Sequence, residues 1–268
     1  MKAFANIRLN PSIYTGTLTQ DVSEVGISGA FGTVQLAKDF GIDFAVHAAA
    51  DASGWTGAGS TGGVVHNTAA KSGNAVIYVL PTMVSGLGIV VANGLAGAAG
   101  GAGDGTAYRI TYNIGSLSLQ YAGASTKNSA TSEWTTGSFI GGATATTDTL
   151  TAGTKSGLTA LAVTYDLGMA KLHFGSFTGK GGSDGDQKSS SSMYGVSVPF
   201  GATTVGLTSS SAQRTSAAAA TVKETGMRIK VAYALSKRTT AYLANGTAKL
   251  SGTRASNQQT AIGLTHAF

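Results

Sequence analysis

The stretch that decides the fold is the last eight residues, Ala261-Ile262-Gly263-Leu264-Thr265-His266-Ala267-Phe268. Ile262, Leu264 and Phe268 share one parity, and Ala261, Gly263, Thr265 and Ala267 share the other. A period of two with large apolar residues on one side and small ones on the other predicts a β-strand. The strand runs to the last residue and ends on an aromatic. Two settings accommodate it. One is an ordinary sheet strand that happens to finish in Phe. The other is the last strand of a closed membrane barrel, where Phe268 would help seal the cylinder onto the strand near Ile7 and Leu9, because no edge can stay open in lipid.

Composition narrows the choice. Only 11% of the 268 residues are charged, against about 25% in an average domain. Yet mean hydropathy is only +0.13, too low for a bundle of membrane helices. Ala, Gly, Thr and Ser make up the difference, with 39 Gly and three Pro. Moderate hydropathy, little charge and much Gly fit β-structure with one apolar face. The absence of Cys excludes disulfides and thiolate metal sites. The first residues show no basic-then-apolar export signal, so an exported protein would have lost its signal ahead of this numbering. The uncharged run from Asn74 to Gly103 is long enough for a membrane helix. Pro81 and seven glycines argue against one, and two short strands around a turn at Pro81–Ser85 are the better reading.

Similar alternation recurs along the chain. It is seen at Ile7 and Leu9, at Val25 and Ile27, at Val34 and Leu36, and at Tyr108, Ile110 and Tyr112. Leu161, Val163 and Tyr165, then Met227, Ile229, Val231 and Tyr233, repeat it. About fourteen strands can be read in this way. Short turns near 31–32, 81–85, 115–116, 166–169, 199–202 and 236–238 alternate with longer connections. The longer ones include polar links at 15–21, 179–192 and 213–220 and a Thr/Ser/Gly-rich loop at 123–156. Two lengths in alternation are the mark of an up-and-down transmembrane barrel, with short turns on the periplasmic side. The fold class expected is therefore all-β: a transmembrane antiparallel up-and-down β-barrel of fourteen strands, as a single domain over 1–268. Sixteen strands would follow if an opening hairpin is missed or trimmed. Residues 38–73 have poor periodicity, and a structureless stretch of this length is usually functional.

Several segments resemble the general, trimeric porins of Gram-negative outer membranes. They are Val25-Gly26-Ile27-Ser28-Gly29-Ala30-Phe31-Gly32-Thr33-Val34-Gln35-Leu36, Tyr194-Gly195-Val196-Ser197-Val198 with Phe200-Gly201-Ala202-Thr203-Thr204-Val205-Gly206, Tyr233-Ala234-Leu235-Ser236-Lys237-Arg238-Thr239, and the ending Gly263 to Phe268. Their order along most of the chain strengthens the match. The resemblance implies an outer-membrane homotrimer, a third outer loop folded into the pore, and passive diffusion of small hydrophilic solutes and ions. The family has sixteen strands per subunit, so a count of fourteen departs from it.

In such a barrel the apolar parity faces lipid and the polar parity faces the lumen. By parity Arg8, Glu24, Arg109, Lys171, His173, Arg228 and Lys230 line the pore. If 38–73 folds inward, Asp39, Asp43 and Asp51 would face those bases and set a transverse field across a narrow passage. The excess of bases predicts a mild anion preference.

Other chemistry is thin. The four His lack metal-ligand spacing, and His266 is expected at the membrane interface. Asp184 and Asp186 fall short of a calcium loop. Gly100-Gly101-Ala102-Gly103 lacks the Lys-Ser/Thr of a phosphate loop. No metal or cofactor is expected. The partners expected are lipid, ions and small solutes, with no nucleic acid. No nucleophile falls beside a base, which disfavours an enzyme. The alternatives are a plugged structural or adhesive barrel, kept open by the 123–156 loop, and a barrel-borne enzyme.

Overall fold

The computed structural model describes all residues except 13–16, 39–41, 43, 55–73, 96–104, 128–131, 136–146, 151–154, 182–186, 217–218, 251–255 and 268. Asp39, Asp43 and Phe268, with Asp184, Asp186 and the 100–103 run, therefore lie outside the described residues. In chain order the elements are β1 (Lys2–Ser12), β2 (Thr17–Gly29), β3 (Gly32–Lys38), α1 (Phe44–Ala50), β4 (Ala75–Val79), β5 (Leu87–Gly94), β6 (Gly105–Ile114), β7 (Leu117–Lys127), β8 (Ser132–Thr135) and β9 (Thr147–Leu150). They continue as β10 (Lys155–Asp166), β11 (Lys171–Gly181), β12 (Gln187–Phe200), β13 (Thr203–Ser216), β14 (Ala219–Ala234), β15 (Thr239–Leu250) and β16 (Ser256–His266).

Fourteen of these strands form one sheet, in the order β1 to β7 and then β10 to β16. Every neighbouring pair is antiparallel and adjacent in the order, as an up-and-down barrel requires. Among the described residues this sheet has fourteen strands. β8 and β9 form a separate hairpin within the long connection between β7 and β10. β1 and β16 are the two ends of the order, and among the described residues no ladder joins them. None of the helices among the described residues is long and apolar enough to cross a membrane.

The two faces of the sheet divide as the alternation predicts. Ile262 is 84% exposed, Leu264 62% and Tyr194 58%. Val25, Ile110, Leu172, Ile229 and Leu243 are exposed on the same side of their strands. An apolar surface spread over most strands far exceeds the few hundred Å² that soluble monomers leave bare. It is a lipid-facing surface. The opposite face carries small and polar residues, with a cluster of Ala37, Ala75 and Ile77 backed by Val90 and Ala92. Short turns close one end, and several need glycine: Gly32 has φ 99° and Gly168 φ 82°.

Five expectations need correction. The polar link at 15–21 is mostly strand, because β2 begins at Thr17. The loops read at 179–192 and 213–220 are largely strand too, since β11 reaches Gly181, β12 begins at Gln187, β13 reaches Ser216 and β14 begins at Ala219. In β11 to β14 the outward residues near the long connections change from aliphatics to Ser, Thr and Lys. The ladder continues after the apolar alternation has ended. Residues 38–73 are not wholly structureless, for they contain α1. The stretch read as a loop at 123–156 gives its first five residues to β7 and its last two to β10, and between them it contains the β8–β9 hairpin. His266 is exposed, and its Nδ1 lies 2.8 Å from the Thr239 hydroxyl.

Candidate functional site

Residues 44–54 lie against the polar, inward face of the sheet. Ala45, Ala48, Ala49 and Ala50 favour helix, but seven residues are too few to hold a helix alone in water. Packing supplies the remainder. Val46, His47 and Ala50 form its buried face. Val46 and Ala50 meet Ala122, Ala160, Ala162, Phe177 and Met193 on β7, β10, β11 and β12. The His47 ring stacks on Phe177 at 3.9 Å between centroids and 12° between planes. Burial pulls the His47 imidazole down from its ordinary value to about 3. His47 is therefore neutral at physiological pH.

Glycines make room for the rest of the segment. A Cβ on Gly175 of β11 or on Gly195 of β12 would stand 2.6 Å from the Cβ of Ala50 or Ala52 respectively. A Cβ on Gly206 of β13 would strike the Ala52 carbonyl. Three consecutive strands thus present bare backbone where the segment crosses them.

Asp51 then anchors the segment. Its Oδ1 accepts from the Ser53 amide at 2.9 Å, the Ser53 hydroxyl at 2.6 Å and the Thr208 hydroxyl of β13 at 2.8 Å. The Ser53 amide also donates to Thr208 Oγ1 at 3.0 Å. Arg228 of β14 completes the cluster. Its Nη1 lies 3.9 Å from Asp51 Oδ2, donates to Ser53 Oγ at 3.4 Å and donates to the Gly54 carbonyl. All four side chains are buried; Arg228 is 1% and Asp51 4% exposed. The ion pair is longer than a hydrogen bond, and the Ser53 and Thr208 hydroxyls and the Gly54 carbonyl hydrogen-bond to the two charged groups, which compensate each other. His173 of β11 adds a further link. Its Nδ1 donates to the Ala49 carbonyl at 2.8 Å, and its Nε2 lies 3.1 Å from Ser197 Oγ.

The residues named from parity are thus distributed unequally. Asp51, His173 and Arg228 come together at the anchored segment. Asp51 and Arg228 meet in a dry contact and do not face each other across water. Lys230 is two residues from Arg228 on the same face, with its Nζ 4.8 Å from the centre of the Tyr242 ring. A Cβ added to Gly54 would lie 3.3 Å from that Nζ, so Lys230 borders the segment. Arg109 stands on β6 in register with Val90 and Ala122, half-buried. Lys171 is at the short-turn end, paired with Asp166 at 3.6 Å. Glu24 is held by the amides of Asn6 and Gln35 at 3.1 and 3.3 Å. Arg8 is exposed at a register shift in the β1–β2 ladder, away from the segment.

Sequence reading missed His47, Ser53, Thr208, Tyr242 and the three glycines. One signal was available: Gly175, Gly195 and Gly206 all fall on the inward parity of consecutive strands, where a strand otherwise gains nothing from Gly.

The family model described as Gram-negative porin matches residues 1–253. Among solved structures, the chain is similar to OmpT, an outer membrane protein of Vibrio cholerae (TM-score 0.75, 12% identity, covering 98% of this chain and 84% of that one). It is similar to an anion-selective porin from Comamonas acidovorans (TM-score 0.70, 21% identity, 95% and 80% covered). It also resembles OmpF of Salmonella typhi in a complex with daunomycin (TM-score 0.69, 13% identity, 94% and 79% covered). No curated protein matches the sequence.

Proposed function

The chain belongs to the Gram-negative porin family, and from that premise we propose that it is an outer-membrane diffusion channel and not an enzyme, and how it filters what it passes. Small hydrophilic solutes and ions diffuse through the lumen, and residues 44–54 narrow it. The observation that carries this reading is the anchoring of that segment on the inward wall by Asp51, Ser53, Thr208 and Arg228. No chemical step is involved. Selection comes from width and from fixed charge.

The charge favours anions mildly. Arg228 is compensated by Asp51 and Lys171 by Asp166. Among the described residues, the other inward cations named here, Arg8, Arg109 and Lys230, outnumber the inward acids, which are Glu24 and Glu224 on β14. The whole chain carries 18 Lys and Arg against 12 Asp and Glu. Such an imbalance enriches small anions without excluding cations. The similarity to the anion-selective porin from Comamonas acidovorans is consistent with this reading. Assembly as a homotrimer is proposed with it, following the family.

The test is the reversal potential across a planar bilayer under a salt gradient. R109E and K230E together should move it toward cation preference, with the displacement shrinking at high salt as screening rises. An unchanged potential would remove these residues from the selectivity mechanism.

A further inference from the structure

Inward cations on this wall are held in different ways. Arg228 is held by Asp51 and Lys171 by Asp166, each a carboxylate that offsets the charge it fixes. Lys230 meets a ring instead. Its Nζ lies 4.8 Å from the centre of Tyr242, inside the roughly 6 Å over which an aromatic face attracts an ammonium. A neutral ring fixes a cation without adding negative charge.

The row around Lys230 shows why a holder matters. Lys230 on β14 faces Gly206 of β13 and Ala244 of β15, with Ala261 of β16 beyond. These neighbours carry at most a methyl group, so none of them props the lysine stem. An ammonium on four flexible carbons is a mobile, strongly hydrated charge. Tyr242 stands diagonally across, two residues from Ala244 and on the same inward parity. Diagonal neighbours on antiparallel strands lie within reach of aromatic and long side chains. On another side the ammonium meets the anchored segment, where a Cβ on Gly54 would stand 3.3 Å from Nζ. Gly54 has φ 72°, and its carbonyl accepts from Arg228, so that boundary is fixed. The ammonium is therefore seated between the ring and the end of residues 44–54, at the edge of the narrowed lumen.

Gly263 in turn seats the ring. Tyr242 is paired with Ala232 of β14 and Gly263 of β16. A Cβ added to Gly263 would strike the ring at Cζ and the hydroxyl oxygen, so the ring lies across bare β16 backbone. Gly weakens a strand interior and often marks such a close approach. Gly263 belongs to the closing strand whose alternation predicts the fold, and its missing side chain has this second use.

We propose that Tyr242, an uncharged residue, sets the anion preference of the channel by holding the Lys230 ammonium beside residues 44–54, with Gly263 admitting the ring. Tyr242 is a positioning residue, acting through Lys230. The proposal rests on the diffusion-channel reading and on the place of Lys230 in its selectivity. Screening makes position matter: the field of a charge fades over about 8 Å in physiological salt, so a head group that leaves the narrow section loses most of its influence on passing ions.

The test is the reversal potential under a salt gradient for K230Q, Y242L, Y242F, G263A and the double variant Y242L/K230Q, with discrete conducting steps verifying an open pore in each. K230Q should move the potential toward cation preference. Y242L changes no charge, yet it should reproduce at least about half of that displacement, because losing one exposed cation–π contact lowers occupancy of the seated position by about two- to fivefold. Y242F keeps the aromatic face and should stay near the wild-type value. G263A keeps both Lys230 and Tyr242 and displaces only the ring, so it should behave as Y242L does. The double variant should match K230Q, since no ammonium is left to place. A wild-type potential in Y242L beside a displaced one in K230Q would overturn the proposal and leave Lys230 in the selectivity mechanism. Additive displacements in the double variant would also overturn it. An unchanged potential in K230Q would overturn the proposal together with the selectivity role of Lys230. If G263A fails to insert, the contrast between Y242L and Y242F decides, because both leave the strand backbone as it is.

Discussion

His47 shows what a single residue contributes to the inner segment. Its ring is stacked on Phe177 and buried, and burial lowers its pKa from 6.5 to about 3. The docked form therefore binds the proton less well than the undocked one. Docking is fully supported above pH 6.5 and weakens as pH falls from there toward 3. At pH 5 the loss is about 2 kcal/mol, from 1.5 pH units at about 1.4 kcal/mol each. Single-channel recordings should show larger or noisier conductance at pH 5 than at pH 7. H47F keeps an aromatic stack without a titrating group and should flatten that dependence. Persistence of the full pH response in H47F would assign it to another residue. Sequence alone did not single out His47, because its neighbours Val46 and Ala48 give no sign of what a helix face will meet. Its partner Phe177 is 130 residues away. Asp51 and Arg228 were legible as a loop acid and a wall base. That their contact is dry was not, since burial depends on Ala52 settling over Gly195 and Gly206.

At the scale of elements, α1 and its tail form a short segment whose intrinsic stability is small and whose place depends on contacts with the wall. Ala122, Ala160 and Ala162 keep the wall low beneath α1, and Gly175, Gly195 and Gly206 admit the chain beyond it. Asp51 holds the end. Breaking a buried charge pair by removing one partner costs on the order of 3–5 kcal/mol, more than a seven-residue helix can supply. D51N should therefore release the segment and raise single-channel conductance, while the strand ladders and the thermal stability of the barrel are preserved. Wild-type conductance in D51N would show that Asp51 does not hold the segment. Strands with aliphatic alternation, such as β14 from Met227 to Tyr233, could be read with ease. The outer halves of β11, β12 and β13 could not. There Ser190, Ser192, Ser209 and Ser211 replace aliphatics on the outward side, and a hydroxyl-bearing strand looks like a loop when hydrophobic period is the signal.

For the whole molecule, alternating turn length, an unbroken neighbour-to-neighbour strand order and one exposed apolar face describe the same object. It is a porin barrel in the outer membrane, with fourteen strands in its sheet among the described residues and its polar face turned inward. Up-and-down topology is the part of a fold most open to sequence reading, because each strand pairs with its neighbours in the chain. The arrangement across the lumen is not local in sequence. It required knowing which strands lie beneath residues 44–54. The most direct measurement is single-channel conductance of the purified protein in a planar bilayer. An open channel of this kind gives discrete conducting steps that pass both ions of a simple salt, with a mild bias to the anion. Insertion into the bilayer without any conductance would contradict it and would point to a plugged barrel.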